Sequence, residues 1–125
     1  ISPDVLSIAT LNAKALLADV TTLQSDLLQN YPSKADIIIA NLPYVDKKWD
    51  RSPETDYEPD LALFADNGGK SLINELIIQS AKSLKPNGYL IIESDPIQHN
   101  SLIKLASNNS LTLTHQVGFI LAFRY

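Results

Sequence analysis

At 125 residues and 45% apolar, the chain can bury one modest hydrophobic core and form at most one domain. Zero cysteines exclude thiol chemistry, and two histidines, His99 and His115, argue against a dedicated transition-metal site. A net charge of -4, from 10 basic and 14 acidic residues, disfavours a broad phosphate-binding surface, and no apolar run reaches the length of a membrane span. The lack of cysteine fits a cytoplasmic protein. The chain opens on Ile1 and holds no methionine, which reads as a piece of something longer.

Ser2, Pro3 and Asp4 form a helix start: a hydroxyl cap, a proline at the first position and an acid in the first turn. Val5, Ile8, Ala9, Ala13 and Leu16 then fall on one helical face. Residues 20–24 predict a strand, followed by Ser25-Asp26-Leu27-Leu28. Residues 36–40, Asp-Ile-Ile-Ile-Ala, read as a fully buried strand. Residues 45–69 show no periodicity and carry charges, Pro53, Pro59, Gly68 and Gly69, which makes them a candidate lid. Ile73, Leu76, Ile77, Ala81 and Leu84 predict a second helix, stopped by Pro86-Asn87-Gly88. Residues 89–93 are a third, continuously apolar strand, and Asp95-Pro96 opens a third helix that runs to Ala106. Leu111, Leu113 and His115 alternate with Thr112, Thr114 and Gln116, and residues 119–125 follow across Gly118 as the second arm of an antiparallel hairpin. Alternation of this kind predicts an α/β fold with a mostly parallel sheet and helices on its faces.

The most informative junction is Asn41-Leu42-Pro43-Tyr44, directly after residues 36–40. Pro43 cannot continue a central strand, so the chain breaks at a strand's carboxyl end, where open α/β sheets place ligands. The residue before a proline is held extended. The Asn41 side-chain carbonyl and nearby backbone carbonyls can therefore face a planar amino group, with Tyr44 packed against it. An amide or the exocyclic amine of adenine fits that description. A plain X-Pro turn explains the same four residues.

Several segments in order resemble the class I S-adenosylmethionine-dependent methyltransferases, and among them the release-factor glutamine N5-methyltransferase family. They are Ile1-Ser2-Pro3-Asp4-Val5-Leu6 with Asn12-Ala13, Ser25-Asp26-Leu27-Leu28, Asn41-Leu42-Pro43-Tyr44, Tyr57-Glu58-Pro59 with Leu61-Ala62-Leu63, and Leu84-Lys85-Pro86-Asn87-Gly88 with Ile92-Glu93 and Gln98. The resemblance implies a Rossmann-like sheet with the C-terminal hairpin and S-adenosylmethionine as cofactor. It also implies a protein substrate, a translation release factor, whose glutamine side-chain amide is methylated. By the same resemblance, Asn41, Leu42, Pro43 and Tyr44 are the catalytic motif. Asp26, Leu27 and Asn41 would contact the cofactor, with Asp26 accepting from its adenine amine. Tyr44, Glu58 and Pro59 would meet the substrate.

The chain departs from the family pattern in two places. Leu42 replaces the first proline of N-P-P-Y, a form shared with ribosomal-RNA adenine dimethyltransferases. None of the four glycines, Gly68, Gly69, Gly88 and Gly118, builds the family's glycine-rich cofactor loop, which would lie upstream of Ile1. The expectation is a partial catalytic domain over residues 1–125, lacking the N-terminal strands that would sit between residues 20–24 and 36–40. A sheet so interrupted would expose an edge open to self-association. Two other functions remain: an adenine-N6 methyltransferase on nucleic acid, and an inactive fragment or interaction module. Nucleic acid is disfavoured because Asp46, Asp50, Glu54 and Asp56 interleave the Lys47, Lys48, Trp49 and Arg51 cluster. Without the resemblance, Asp26 reads as a turn or cap residue and Glu58 as a solvated acid. Glu93 is structural or pocket-lining, and His99 and His115 read as surface.

Overall fold

The computed structural model describes residues 2–50 and 53–125, without the side chains of residues 54 and 56. The readings placed on Ile1, on Arg51 and on the charges at 54 and 56 lie outside the described residues. The chain divides into two compact units, Ile1–Ser33 and Lys34–Tyr125.

In the first unit, helix α1 (Pro3–Ala15) begins as the sequence predicts. Ser2 is extended and its hydroxyl accepts from the Val5 N–H at 3.4 Å, Pro3 occupies the first turn, and Asp4 faces the positive end of the helix dipole. The helix ends at Leu16 and Leu17, the latter left-handed at φ 53°. Its apolar face stays open: Val5 and Ile8 are 65% and 59% exposed. Residues 20–24 are not a strand. They have no ladder partner, and a strand is defined by pairing that propensity alone cannot supply. Side-chain contacts tie them down, among them the hydroxyls of Thr10 and Thr22 at 2.9 Å and Asn30 Nδ2, which donates to the Gln24 carbonyl at 3.2 Å.

The second unit contains a four-stranded sheet: β1 (Ala35–Ala40), β2 (Leu84–Glu93), β3 (Thr112–Val117) and β4 (Ile120–Arg124), in the order β1-β2-β4-β3. β1 and β2 are parallel, and β4 is antiparallel to both β2 and β3. The α/β class and the terminal hairpin are those the sequence predicts. Because residues 20–24 stay out of the sheet, it is mixed rather than mostly parallel among the described residues.

Helices α4 (Ser71–Ser83) and α5 (His99–Asn108) cover one face of this sheet. Period-two alternation selects Ile38, Leu90, Ile92, Leu121 and Phe123 for that face, and the register aligns Ile38 with Leu90 and Leu90 with Phe123. From the helices come Ile73, Leu76 and Ile77 of α4 and Leu102 and Ala106 of α5, at spacings that keep one side inward. Each fully buried Leu, Ile or Phe contributes about 1.5–3 kcal/mol before packing terms.

Two sequence expectations fail here. β1 is not buried on both faces: Ile38 is 8% exposed but Ile37 and Ile39 are 56% and 74% exposed. It is an edge strand of the four-stranded sheet, and within this unit α4 and α5 pack on the Ile38 face. His99 is not at the surface but 2% exposed. Its Nε2–H donates to the Ser94 carbonyl at 3.3 Å and its Nδ1 accepts from Gln116 Nε2 at 3.0 Å, so both ring nitrogens are satisfied inside. His115 is exposed, as expected.

Pro86-Asn87-Gly88 interrupts β2 rather than preceding it. Ala35 pairs with Leu84 and Ile37 already with Tyr89, so residues 85–88 bulge out of register. Asp36 closes over this bulge through Lys85 Nζ at 2.8 Å.

Candidate active site

β1 ends at Ala40, and Asn41 to Tyr44 carry the chain off the sheet. The chain then forms its own small scaffold. The Val45 N–H donates to the Leu63 carbonyl and the Ala65 N–H to the Val45 carbonyl, each at 3.1 Å, which makes a parallel bridge from Val45 to Phe64. Residues 45–69 are thus only partly irregular. They hold a 3-10 turn (Pro53–Tyr57), the one-turn helix α2 (Asp60–Leu63) and the one-turn element α3 (Asp66–Gly69).

Tyr44 is held at both ends. Its hydroxyl donates to Glu93 Oε1 at 2.9 Å, and its backbone carbonyl accepts from Gln98 Nε2 at 2.8 Å. Burial, then the hydrogen bond to the Glu93 carboxylate and the negative charges of Glu93 and Asp95, push the phenol up from 10.0 to about 12. A phenol in that setting keeps its proton through the neutral range. It can line a slot and donate a hydrogen bond, but it is no general base.

Gln98 arrives by local chemistry. Asp95 accepts from the Ile97 N–H at 2.9 Å, and Gln98 Oε1 accepts from the Asp95 N–H at 3.1 Å, a reciprocal capping box at the exit of β2. This leaves the Gln98 amide N–H groups for Tyr44 O and for Gly68 O at 2.7 Å. Asn67, Gly68 and Gly69 are all left-handed, which brings the Gly69 backbone against the Tyr44 carbonyl. A Cβ on Gly69 would lie 1.9 Å from that oxygen.

Asn41 is exposed at the mouth of this arrangement, and Leu42 and Pro43 are half-buried. The sequence-named group of Asn41, Leu42, Pro43 and Tyr44 is therefore contiguous and braced from beneath. Glu58 and Pro59 are exposed in the loop beyond. Among the described residues, no hydrogen bond or ion pair joins the Glu58 carboxylate to Tyr44. Lys47 is exposed, with its Nζ 3.4 Å from Asp60 and 5.3 Å from the Phe64 ring centroid. It borders an open cavity of about 430 Å³ with Leu61, Phe64, Asp66 and Leu72.

Asp26 and Leu27 belong to the first unit. The Asp26 carbonyl accepts from the Gln29 N–H at 3.1 Å, Leu27 is left-handed at φ 49°, and the Asn30 N–H donates to Ser25 Oγ at 2.9 Å. The turn presents an exposed Asp26 carboxylate beside a cavity of about 300 Å³ bordered by Gln24, Ser25 and Asn30. The Asp26 carboxylate accepts from Gln29 Nε2 at 3.5 Å and has lone pairs left for a further donor.

Sequence reasoning missed Gly69, although its signal, Asn67-Gly68-Gly69, is legible as a left-handed turn. It left Glu93 between two roles and met Gln98 only within the resemblance. No helix among the described residues is long and apolar enough to cross a membrane. Among the same residues, no group of three or more His, Cys, Asp or Glu is placed to hold a metal ion.

No family model matches the chain. It is 37% identical over 98 residues to a release factor glutamine methyltransferase of Lactococcus lactis, covering 74% of this chain and 36% of that protein. With the Enterococcus faecalis protein of the same name it shares 38% over 112 residues, covering 86% and 40%. With a ribosomal protein uL3 glutamine methyltransferase of Francisella tularensis it shares 43% over 98 residues, covering 74% and 31%. The chain thus spans 31% to 40% of the length of these relatives. In fold it matches a ribosomal protein L11 methylase from Lactobacillus delbrueckii, with a TM-score of 0.68 at 20% identity over 99% of this chain and 53% of that one. The N-methyltransferase NodS of Bradyrhizobium japonicum follows at 0.54 and 15%, covering 98% of this chain and 68% of that one. By sequence these 125 residues are similar to a segment of proteins named as protein glutamine methyltransferases, and the two solved methyltransferases share their fold.

Proposed function

We propose that the protein carrying this chain transfers a methyl group from S-adenosylmethionine to the side-chain amide nitrogen of a glutamine in a protein, a translation release factor being the leading substrate. A cytoplasmic setting goes with that substrate. The observation that carries the reading is the doubly held Tyr44 beneath Asn41-Leu42-Pro43 at the carboxyl end of β1. The cofactor supplies a methyl already activated on a sulfonium, so the protein's work is alignment. An amide nitrogen is a weak nucleophile because its lone pair is shared with the carbonyl. Acceptors at Asn41 and the Leu42 carbonyl would hold its two N–H groups, orient the nitrogen and stabilise the positive charge that develops on it. Tyr44 would wall the slot, with Glu58 and Pro59 meeting the substrate chain. Asp26, with the backbone at Leu27, would hold the cofactor's adenine. After transfer the nitrogen sheds one proton to water.

The test is a methyl-transfer assay on the intact protein with two acceptors: a peptide containing a Gly-Gln segment and a single-stranded oligonucleotide rich in adenine. Methylated glutamine found by peptide fragmentation supports the reading. Transfer to adenine alone would replace it with the nucleic-acid reading.

A further inference from the structure

We propose that Gln98 is a positioning residue for methyl transfer: it fixes the peptide plane that follows Tyr44 and thereby aims the acceptors at Asn41 and Leu42. The proposal rests on the reading of Asn41-Leu42-Pro43-Tyr44 as an amide cradle. Gln98 is 2% exposed, and its amide is fully committed: one oxygen on the Asp95 N–H, and two N–H groups on the carbonyls of Tyr44 and Gly68. The reverse orientation would set Oε1 against two carbonyl oxygens and Nε2 against an N–H, so the network admits one orientation only.

Three chain segments meet at this amide: the end of the motif, the left-handed turn of α3, and the link from β2 to α5. Gly69 permits the meeting, because a Cβ there would stand 1.9 Å from the Tyr44 oxygen and 2.7 Å from Gln98 Nε2. Glu93 and Gln98 flank the same link and hold Tyr44 by its hydroxyl and its carbonyl. Pro43 fixes its own φ, and Leu42 is restricted by the proline after it. With Tyr44 pinned, little freedom remains for the Leu42 carbonyl. Gln98 touches no reacting atom in this scheme; it acts through Tyr44.

Two variants of the intact protein test this, Gln98→Glu and Gln98→Met, in single-turnover transfer to a glutamine peptide. Gln98→Glu keeps the shape but sets an ionised oxygen against two carbonyls. At about pH 8 its rate should fall roughly 10–100-fold, the scale of a small misplacement, with cofactor affinity by calorimetry unchanged. Toward about pH 6 the carboxyl, raised by burial, takes a proton and donates one hydrogen bond again, so its rate relative to the parent should partly recover. Gln98→Met, neutral and of similar length, should lose rate at every pH without recovery, and it decides alone if Gln98→Glu does not fold. Parent-like rates in the folded variants would overturn the proposal, and so would loss of folding in both, which would make Gln98 merely structural. If the unaltered protein leaves the peptide unmethylated, the cradle reading fails by itself. Positioning is then read from hydrogen exchange at the Val45 and Ala65 amides, which Gln98→Met should accelerate while Leu90 and Ile92 stay protected. Unchanged exchange at Val45 and Ala65 would overturn it.

Discussion

The Tyr44 hydroxyl donates to Glu93 Oε1 at 2.9 Å, and this bond joins the turn after β1 to the last residue of β2. Parallel pairing makes it reachable. Ala40 lies opposite Ile92, so the two strands end level and a residue leaving β1 passes over the end of β2. The acid settles what Tyr44 can do. A phenol donating to a carboxylate is a fixed wall with its proton spoken for, which would suit the proposed amide slot.

That bond has a pH signature. The folded Tyr44 phenol sits at about 12 against an ordinary 10.0, so the folded state holds its proton more tightly than the unfolded chain. The stability this contributes is complete below about pH 10 and is lost as pH rises through about 12. Thermal melts of the intact protein across that window should fall more steeply than those of Tyr44→Phe. At neutral pH the same variant should be less stable by about 1 kcal/mol for the missing hydrogen bond. Superimposable profiles would remove the Glu93 contact.

Asn41→Ala should reduce single-turnover methyl transfer by roughly 10²–10³, the scale for losing one preorganised polar contact. Asn41 is exposed, so the melting temperature should hardly move. A variant with parent-like turnover would show that the side-chain carbonyl does not hold the acceptor amide.

Gly69→Ala and Gly118→Ala share a left-handed backbone, at φ 75° and 54°, but not the space around it. Nothing lies within 4 Å of a Cβ at Gly118, whereas at Gly69 the Tyr44 carbonyl stands in the way. Gly118→Ala should cost about 1 kcal/mol for the backbone alone. Gly69→Ala should cost at least about 2 kcal/mol and also slow transfer, because relief requires Tyr44 to move. Urea midpoints of the two variants make the comparison, and equal losses would mean that the contact is slack.

Residues 45–69 should close over the slot when a substrate peptide binds. The exposed stretch from Tyr57, at 92%, to Leu61, at 71%, offers apolar surface to cover. Hydrogen exchange on the intact protein should show added protection there with peptide present, against little change at Val45 and Ala65, already bonded in the free form. Full protection of the whole loop without peptide would remove the lid.

Local sequence carried much of this protein. Ser2-Pro3-Asp4 starts α1 because a cap, a fixed φ and a favourable charge all act within one turn. The spacing of Ile73, Leu76 and Ile77 draws the buried face of α4, and alternation across Gly118 draws the hairpin. Asn41-Leu42-Pro43-Tyr44 stood out because a proline shortly after an isoleucine run ends a strand. What tertiary structure decided depends on partners far along the chain. Residues 20–24 have strand propensity and no ladder. Ile37 and Ile39 have core chemistry but are exposed, and His99 is buried because Ser94 and Gln116 satisfy both its nitrogens. Glu93, Gln98 and Gly69 become a brace for Tyr44 only when β1 and β2 run side by side. Periodicity and capping report the nearest turn of chain, whereas pairing and burial are settled by contacts whose ordering entropy the whole fold must offset.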